Sequence, residues 1–280
     1  VPPERRPDVI YLDAANIMRP FGLNFLDIGL GWDRDRATSI ALSIFKREWT
    51  GFWGPRMEDV FGHSLQTLYE ANRTMCALDH RARGCQYTIL DMPDLLLDRF
   101  FQQSVLKQVN EPGLRNWWLR FYARTDRQLF LESISPVLTK IYRLERSRAT
   151  QLIVGQPAST IDPRAWLRAG SIVIVNTSSG PVDQDTAGII GSALLNLAML
   201  AVSEQSALEA SERQRLTLIV DELQTMPAVD YEAIVSEQAK FGANLIAATQ
   251  SLARLDVLDH HQERALKATV FANIKGLFVF

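Results

Sequence analysis

The segment whose residues are most clearly suited to catalysis or metal binding is an apolar run that ends in two acidic residues. Leu216–Val220 are mostly branched and apolar, and Asp221 and Glu222 follow them directly. Such a run is typical of a buried parallel strand, and open α/β sheets bind ligands at the carboxyl ends of their strands. One carboxylate there could hold Mg²⁺ while the next polarises an attacking water, as in nucleotide hydrolysis. The same pair could instead only cap the next helix, and the heptapeptide alone leaves both interpretations open.

A second polar group follows one helix and one strand later. After Gly242, an apolar run over residues 244–249 ends in Thr249 and Gln250. If this run is a parallel strand beside the first, Gln250 lies at the same sheet edge as Glu222. One amide can donate to a phosphate and also accept from a water. The tandem arrangement therefore favours a nucleotide site over a Gln that only caps a turn.

Strand-like runs elsewhere indicate which elements must position these residues. The runs cover residues 8–13, 171–176, 216–221, 244–249 and 276–280. The later ones alternate with helical stretches at 186–203, 230–240 and 259–271. This alternation predicts an α/β fold, with a mostly parallel sheet flanked by helices.

The middle of the chain has a different pattern, because it contains no convincing strand. Helices are expected over residues 34–49, 55–78, 94–109, 113–124 and 126–146, where apolar residues recur every three to four positions. We therefore predict an all-α subdomain at 33–148, inserted into an α/β domain that is formed by residues 1–32 and 149–280.

Arginines and aromatic residues interleave in this helical part of the sequence. The aromatic members are Trp117, Trp118, Phe121 and Tyr122. Basic and aromatic groups together could contact the phosphates and bases of a nucleic acid. An aromatic stripe in the core beneath a solvated basic face explains the same pattern and is favoured.

The overall composition is that of an ordinary globular protein. The 280 residues carry a formal net charge of −2, and 47% of them are hydrophobic. This balance argues against a wholly basic nucleic-acid binder. Cys76 and Cys85 have no metal-ligand spacing and form no disulfide framework, which fits a reducing cytoplasm.

One uncharged segment, Thr186–Val202, could be taken for a membrane span. It is slightly short for a bilayer and is flanked by acidic residues rather than basic anchors. A helix packed inside an α/β domain is therefore the favoured interpretation. The amino-terminal residues also lack the apolar region of a signal peptide.

Several motifs, taken in order, resemble a known family. LIVDELQTM, QAKFGANLIAATQS and FANIKGLFVF resemble the C-terminal half of conjugative DNA-transfer coupling proteins of type IV secretion. These are the TraG/TraD type within the HerA/FtsK group of motor ATPases. DVIYLDAANIMRPFGLNFLD and RAGSIVIVNTSSGPVDQDTAGIIGSALLNLAML are similar to earlier family segments, so the resemblance covers most of the chain.

The resemblance implies a RecA-like fold, ATP and Mg²⁺ as ligands, a hexameric ring and DNA as a partner. It also implies that the all-α subdomain recognises a secretion substrate or its adaptor. A cytoplasmic location is expected, with inner-membrane association only through sequence outside these 280 residues.

The resemblance also assigns roles to single residues. Asp221 becomes the carboxylate on the Mg²⁺ side, Glu222 the catalytic base and Gln250 the sensor of the γ-phosphate. The Arg-Lys pair that the family commonly carries before the second strand is Ala-Lys here. Lys240 or Arg254 could supply the charge that reaches a neighbour's ATP, although Lys lacks the planar fork of Arg.

A phosphate-binding loop of the form GxxxxGK[ST] does not occur in the sequence, and none of the 15 Gly residues is followed by Lys. ATP affinity should then be poor, and we expect these 280 residues alone not to hydrolyse ATP. The absence of this loop, together with the abrupt start of the sequence, suggests a fragment that lacks this element. The rival is a non-catalytic adaptor with a degenerate ATPase fold that recognises a protein partner. A weaker rival is an unrelated α/β enzyme that uses Asp221 and Glu222 for other chemistry.

Overall fold

The computed structural model describes residues 1–49, 53–177, 184–226, 228–250, 271–273 and 276. The strands are β1 (Val9–Asp13), β2 (Ile172–Asn176), β3 (Leu216–Val220) and β4 (Ala243–Ala247). The helices are α1 (Arg34–Glu48), α2 (Pro55–Leu78), α3 (Met92–Leu97), α4 (Arg99–Gln108), α5 (Pro112–Arg124), α6 (Arg127–Arg146), α7 (Arg148–Val154), α8 (Pro163–Ala169), α9 (Gln184–Ser203) and α10 (Tyr231–Ser236).

The strands form two parallel pairs. β1 pairs with β2, and β3 pairs with β4 in a register that places Leu216 opposite Ala243 and Val220 opposite Ala247. The parallel direction confirms the prediction, although the two pairs are not hydrogen-bonded to each other within the described residues. The predicted strand at 276–280 and helix at 259–271 lie outside the described residues except at Gly276 and Phe271.

The middle of the chain is helical, as predicted, in every described element from α1 to α6. The single helix expected over 94–109 is two helices, because Asp98 ends α3 and caps α4. Its carboxylate accepts from the backbone N–H groups of Phe100 and Phe101 at 2.7 and 3.2 Å. The helix expected over 230–240 is also shorter: α10 is followed by a 3₁₀ turn at Gln238–Phe241.

The aromatic stripe of the helical region belongs to the core. Trp118 is buried, and its indole N–H donates to Thr67 Oγ1 at 2.7 Å. Trp117 stacks on His63 with ring centroids 4.2 Å apart. Lys140 is also buried, with Nζ 4.9 Å from the centroid of the Trp49 ring. These positions fit the favoured interpretation of a packed stripe.

Helix α9 is the apolar element that could have been a membrane span. Residues 186–207 are long and apolar enough to cross a bilayer, but 72% of the most apolar window is buried inside the protein. Buried members of α9 contact both the large core around the helices and a smaller core beneath β3 and β4. The helix therefore packs as a core helix, and it packs against β3, the strand that ends in the acidic pair.

The β3–β4 pair has two unlike faces. Leu218 and Val220 point into the smaller core with Tyr231 of α10, whereas Ile219 and Ile246 are 77% and 57% exposed on the other face. This alternation follows from the two-residue period of a strand. The buried face fixes the pair against α9 and α10, and so fixes the residues that follow each strand.

Candidate functional site

The residues that follow β3 and β4 lie together at one sheet edge. Beyond the last ladder pair, Ala248 N donates to Val220 O at 2.9 Å and Leu223 N donates to Ala248 O at 3.1 Å. The two chains thus stay paired for a few residues past the strands. This pairing brings Asp221 and Glu222 to the same edge as Gln250, as the sequence predicts.

Asp221 is exposed at this edge. Within the part of the chain that the structure describes, its carboxylate has no hydrogen bond or ion pair. Mg²⁺ usually keeps several waters and takes only one or two protein carboxylates together with substrate phosphates. An exposed carboxylate at the end of a parallel strand therefore fits a Mg²⁺ ion that arrives with a nucleotide.

Glu222 has an unusual backbone conformation. Its φ of 51° and ψ of 54° lie in the left-handed region, where no other non-glycine residue of the described ranges is found. This conformation costs an L-residue about 1–2 kcal/mol. The Glu222 carbonyl accepts from Thr225 N at 2.8 Å and from Thr225 Oγ1 at 2.9 Å. The chain therefore turns sharply at Glu222 instead of continuing the strand.

Two side chains that sequence reasoning did not single out join the two strand ends. The Gln224 amide donates from Nε2 to Oε2 of Glu222. Its Oε1 accepts from Thr249 Oγ1 at 3.0 Å. Gln250 lies next to Thr249 and is exposed. An amide two residues after the acidic pair was the available signal for Gln224, but its partner could not be known without the strand pairing.

Lys240 is not part of the same edge. It lies in the 3₁₀ turn before β4, and a five-residue strand separates it from Thr249, which corresponds to about 13 Å. Its Nζ is 5.0 Å from the centroid of the Phe241 ring, and its carbonyl accepts from Arg213 at 3.0 Å. Lys240 therefore does not join the carboxylates of its own chain, and Arg254 lies outside the described residues.

The turn after β3, residues 221–226, is called the acidic turn below, and three elements hold it or the segment that follows it. Tyr231 of α10 donates its hydroxyl to Leu223 O at 3.1 Å, and burial raises the pKa of Tyr231. Asn196 of α9 donates to Ala228 O at 3.1 Å, just beyond the turn. Arg47 of α1 forms an ion pair with Asp230 at 2.7 Å. The acidic turn is thus bound by Tyr231, and the segment directly after it is bound by α9 and α1.

Comparison with known proteins shows that part of the chain matches one family model. Residues 158–274, which include β2, β3 and β4, match the family model described as the type IV secretion-system coupling protein DNA-binding domain. No curated protein sequence matches the chain.

Solved structures of a coupling protein share the fold. The unbound monoclinic form of the bacterial conjugative coupling protein TrwBdeltaN70 has a TM-score of 0.60 at 17% identity, over 94% of this chain and 56% of that one. The plasmid coupling protein TrwB in complex with ADP and Mg²⁺ gives 0.59 at 16%, over 94% and 58%. TrwB in complex with the ATP analogue ADPNP gives 0.55 at 17%, over 94% and 57%.

At these identities the structural likeness establishes the fold, and the chain spans little more than half the length of the TrwB structures. The fold is the α/β, RecA-like class with a helical part that the sequence predicts. With the family match, it confirms the resemblance to type IV coupling proteins of the TraG/TraD type.

Proposed function

We propose that this chain belongs to a nucleotide-driven motor that moves DNA, or a DNA–protein substrate, in type IV secretion. The sheet edge at the ends of β3 and β4 would supply the residues for nucleotide hydrolysis. The observation that carries the proposal is the pairing of β3 with β4. It brings an exposed carboxylate, a second carboxylate in a strained turn and an exposed amide to one edge of a parallel pair. The TrwB structures with ADP and Mg²⁺, or with ADPNP, support nucleotide as the ligand.

In this proposal each of the three residues has one task. Asp221 would hold Mg²⁺, and Glu222 would accept the proton of the attacking water. Gln250 donates to the γ-phosphate. A bound Mg²⁺ would supply positive charge against the negative charge that develops during phosphoryl transfer.

The remaining partners are proposed from the family. A hexameric ring would bring Lys240 or Arg254 to a neighbour's nucleotide, which suits the position of Lys240 away from its own carboxylates. DNA as a partner is supported by the family match over residues 158–274. The helical subdomain would recognise the secretion substrate or its adaptor. We expect a cytoplasmic location, with inner-membrane association only through sequence outside these 280 residues.

The test is steady-state ATP hydrolysis by the full-length protein that the gene encodes. We expect Glu222→Gln to lower kcat by about 10²–10³-fold, because the general base is lost while nucleotide binding remains. Glu237→Gln is the matched control, since Glu237 is an exposed carboxylate after α10. Hydrolysis that is unchanged by Glu222→Gln would contradict the role of Glu222 as the general base. No hydrolysis by the unsubstituted full-length protein would contradict the motor and favour the adaptor.

A further inference from the structure

Three side chains form a hydrogen-bonded chain between the ends of β3 and β4. Gln224 donates to Oε2 of Glu222, and Thr249 donates to Oε1 of Gln224. A carboxylate can only accept hydrogen bonds, so the NH₂ group of Gln224 must face Glu222. Its carbonyl is then left for the Thr249 hydroxyl. The two partners together fix the orientation of the amide.

Hydrogen bonds already hold the backbone on both sides of these three side chains. Gln224 lies in the 3₁₀ turn Leu223–Thr225, and Leu223 is bound to Ala248 O through its N–H and to Tyr231 through its carbonyl. Thr249 follows Ala248, which donates to Val220 O. A movement at the end of β4 therefore reaches Gln224 directly. Through the amide it reaches the carboxylate of Glu222.

We propose that Gln224 is a positioning residue, which aims the Glu222 carboxylate and couples it to Thr249 at the end of β4. The proposal rests on the proposed function of Glu222 as the general base. Because Thr249 adjoins Gln250, a nucleotide that engages Gln250 would tighten or loosen the same chain of hydrogen bonds. Gln224 thus links recognition of the γ-phosphate at one strand end to water activation at the other.

The first measurement is ATP hydrolysis by the full-length protein. Gln224→Leu should lower kcat by about 10–100-fold through misorientation of Glu222. KM should stay within about 2-fold, since Gln224 is not expected to bind the nucleotide. Thr249→Val removes one hydrogen bond of about 1 kcal/mol and should lower kcat about 5-fold. Thr249→Ser keeps the hydroxyl and should restore kcat.

The double variant tests the coupling. If Thr249 acts only through Gln224, then Gln224→Leu combined with Thr249→Val should have the same kcat as Gln224→Leu alone. The same cycle is repeated by thermal unfolding without nucleotide. There Thr249→Val should lower the midpoint by about 2–4 °C, but only while Gln224 is present.

Two matched controls distinguish the loss of the hydrogen bonds among Glu222, Gln224 and Thr249, called the relay below, from nonspecific effects of substitution. Gln128→Leu removes another Gln-to-Glu hydrogen bond, from Gln128 to Glu132 at 3.1 Å on the exposed side of α6. Thr217→Val changes an exposed threonine on β3. Both should leave kcat unchanged.

Each outcome bears on the relay. Unchanged kcat in Gln224→Leu, or additive effects in both cycles, overturns it even if Glu222→Gln is inactive. Full activity in Glu222→Gln overturns the proposed role of Glu222 as the general base, and the relay with it.

Discussion

Among the residues that the structure describes, Glu222 is the one non-glycine residue with a positive φ. An L-residue in the left-handed region persists only where the surrounding structure holds it, and such residues often lie at functional sites. Here the Thr225 backbone and hydroxyl bind the Glu222 carbonyl, and the Gln224 amide binds its carboxylate. A carboxylate is therefore kept at a position where glycine would cost less free energy.

This strain predicts an inverted preference between glycine and alanine. Glu222→Gly should be more stable to urea than Glu222→Ala by about 1 kcal/mol, because both lack the side chain and only glycine adopts a φ of 51° freely. At Glu237, where φ is −110°, the alanine variant should be the more stable one. Equal stability of the two Glu222 variants would mean that the turn relaxes.

At the scale of elements, α9 lets the acidic turn approach closely through two glycines. A Cβ at Gly188 would lie 3.0 Å from the carbonyl oxygen of Thr225 and 2.9 Å from Oε1 of Glu48. A Cβ at Gly191 would instead meet the flexible side chain of Met226 at 2.9 Å. The uncharged, small-residue character of α9 thus serves the packing of a turn rather than a lipid surface.

The two glycines should respond differently to alanine. Gly188→Ala should lower the free energy of unfolding by about 1–3 kcal/mol, because a backbone carbonyl has little room to move. Gly191→Ala should be nearly neutral, since Met226 can change rotamer and alanine favours the helix by about 1 kcal/mol. Urea denaturation of both variants measures the difference. A larger loss at Gly191 would contradict this account of the contact.

At the scale of the whole molecule, Asp27 ties distant parts of the chain together. Its buried carboxylate accepts from Arg83 at 2.9 Å, Gln86 at 2.8 Å and Ser159 N at 2.7 Å. Gly29 N donates to it at 2.8 Å. Burial alone would raise the pKa of Asp27, but these donors outweigh burial and lower its pKa below the ordinary value.

This network predicts a pH-dependent contribution to stability. Because the folded pKa is lowered, the contribution is complete above the unfolded value of about 3.9 and is lost as the pH falls through the folded pKa. Asp27→Asn should therefore lose about 2–3 kcal/mol of unfolding free energy at neutral pH. It should also lose less stability than the wild type on acidification.

The matched control is Asp35→Asn, in which an exposed carboxylate beside Arg34 is neutralised. It should change the unfolding free energy by at most about 0.5 kcal/mol. Urea denaturation at neutral and acidic pH measures both variants. A parallel pH profile for Asp27→Asn and the wild type would contradict the assignment to Asp27.

Features with a local cause were predictable from the sequence. The apolar run before Asp221 forms a strand because branched apolar residues favour extended backbone, although only one face of the strand is buried and Ile219 on the other face is exposed. The helices of residues 33–148 follow their apolar period. Boundaries were less predictable. Asp98 splits a continuous helical pattern because its side chain competes for the backbone N–H groups of the next turn. The regular helix α10 also ends early, at Ser236, but Glu237 makes no side-chain cap hydrogen bond there.

The sequence by itself determined which chemical groups end each strand, because these follow from residue type and local period. The alternation of strands with helices also predicted that the strands run parallel. Only the tertiary structure decided which groups meet. The register of β3 and β4 brings Thr249 to Gln224 and leaves Lys240 at the far edge. Glu222 takes a left-handed conformation where the chain turns after β3, and the next residue, Leu223, is buried in the smaller core. Contacts between residues far apart in the chain depend on how the elements pack together, and no local pattern encodes that packing.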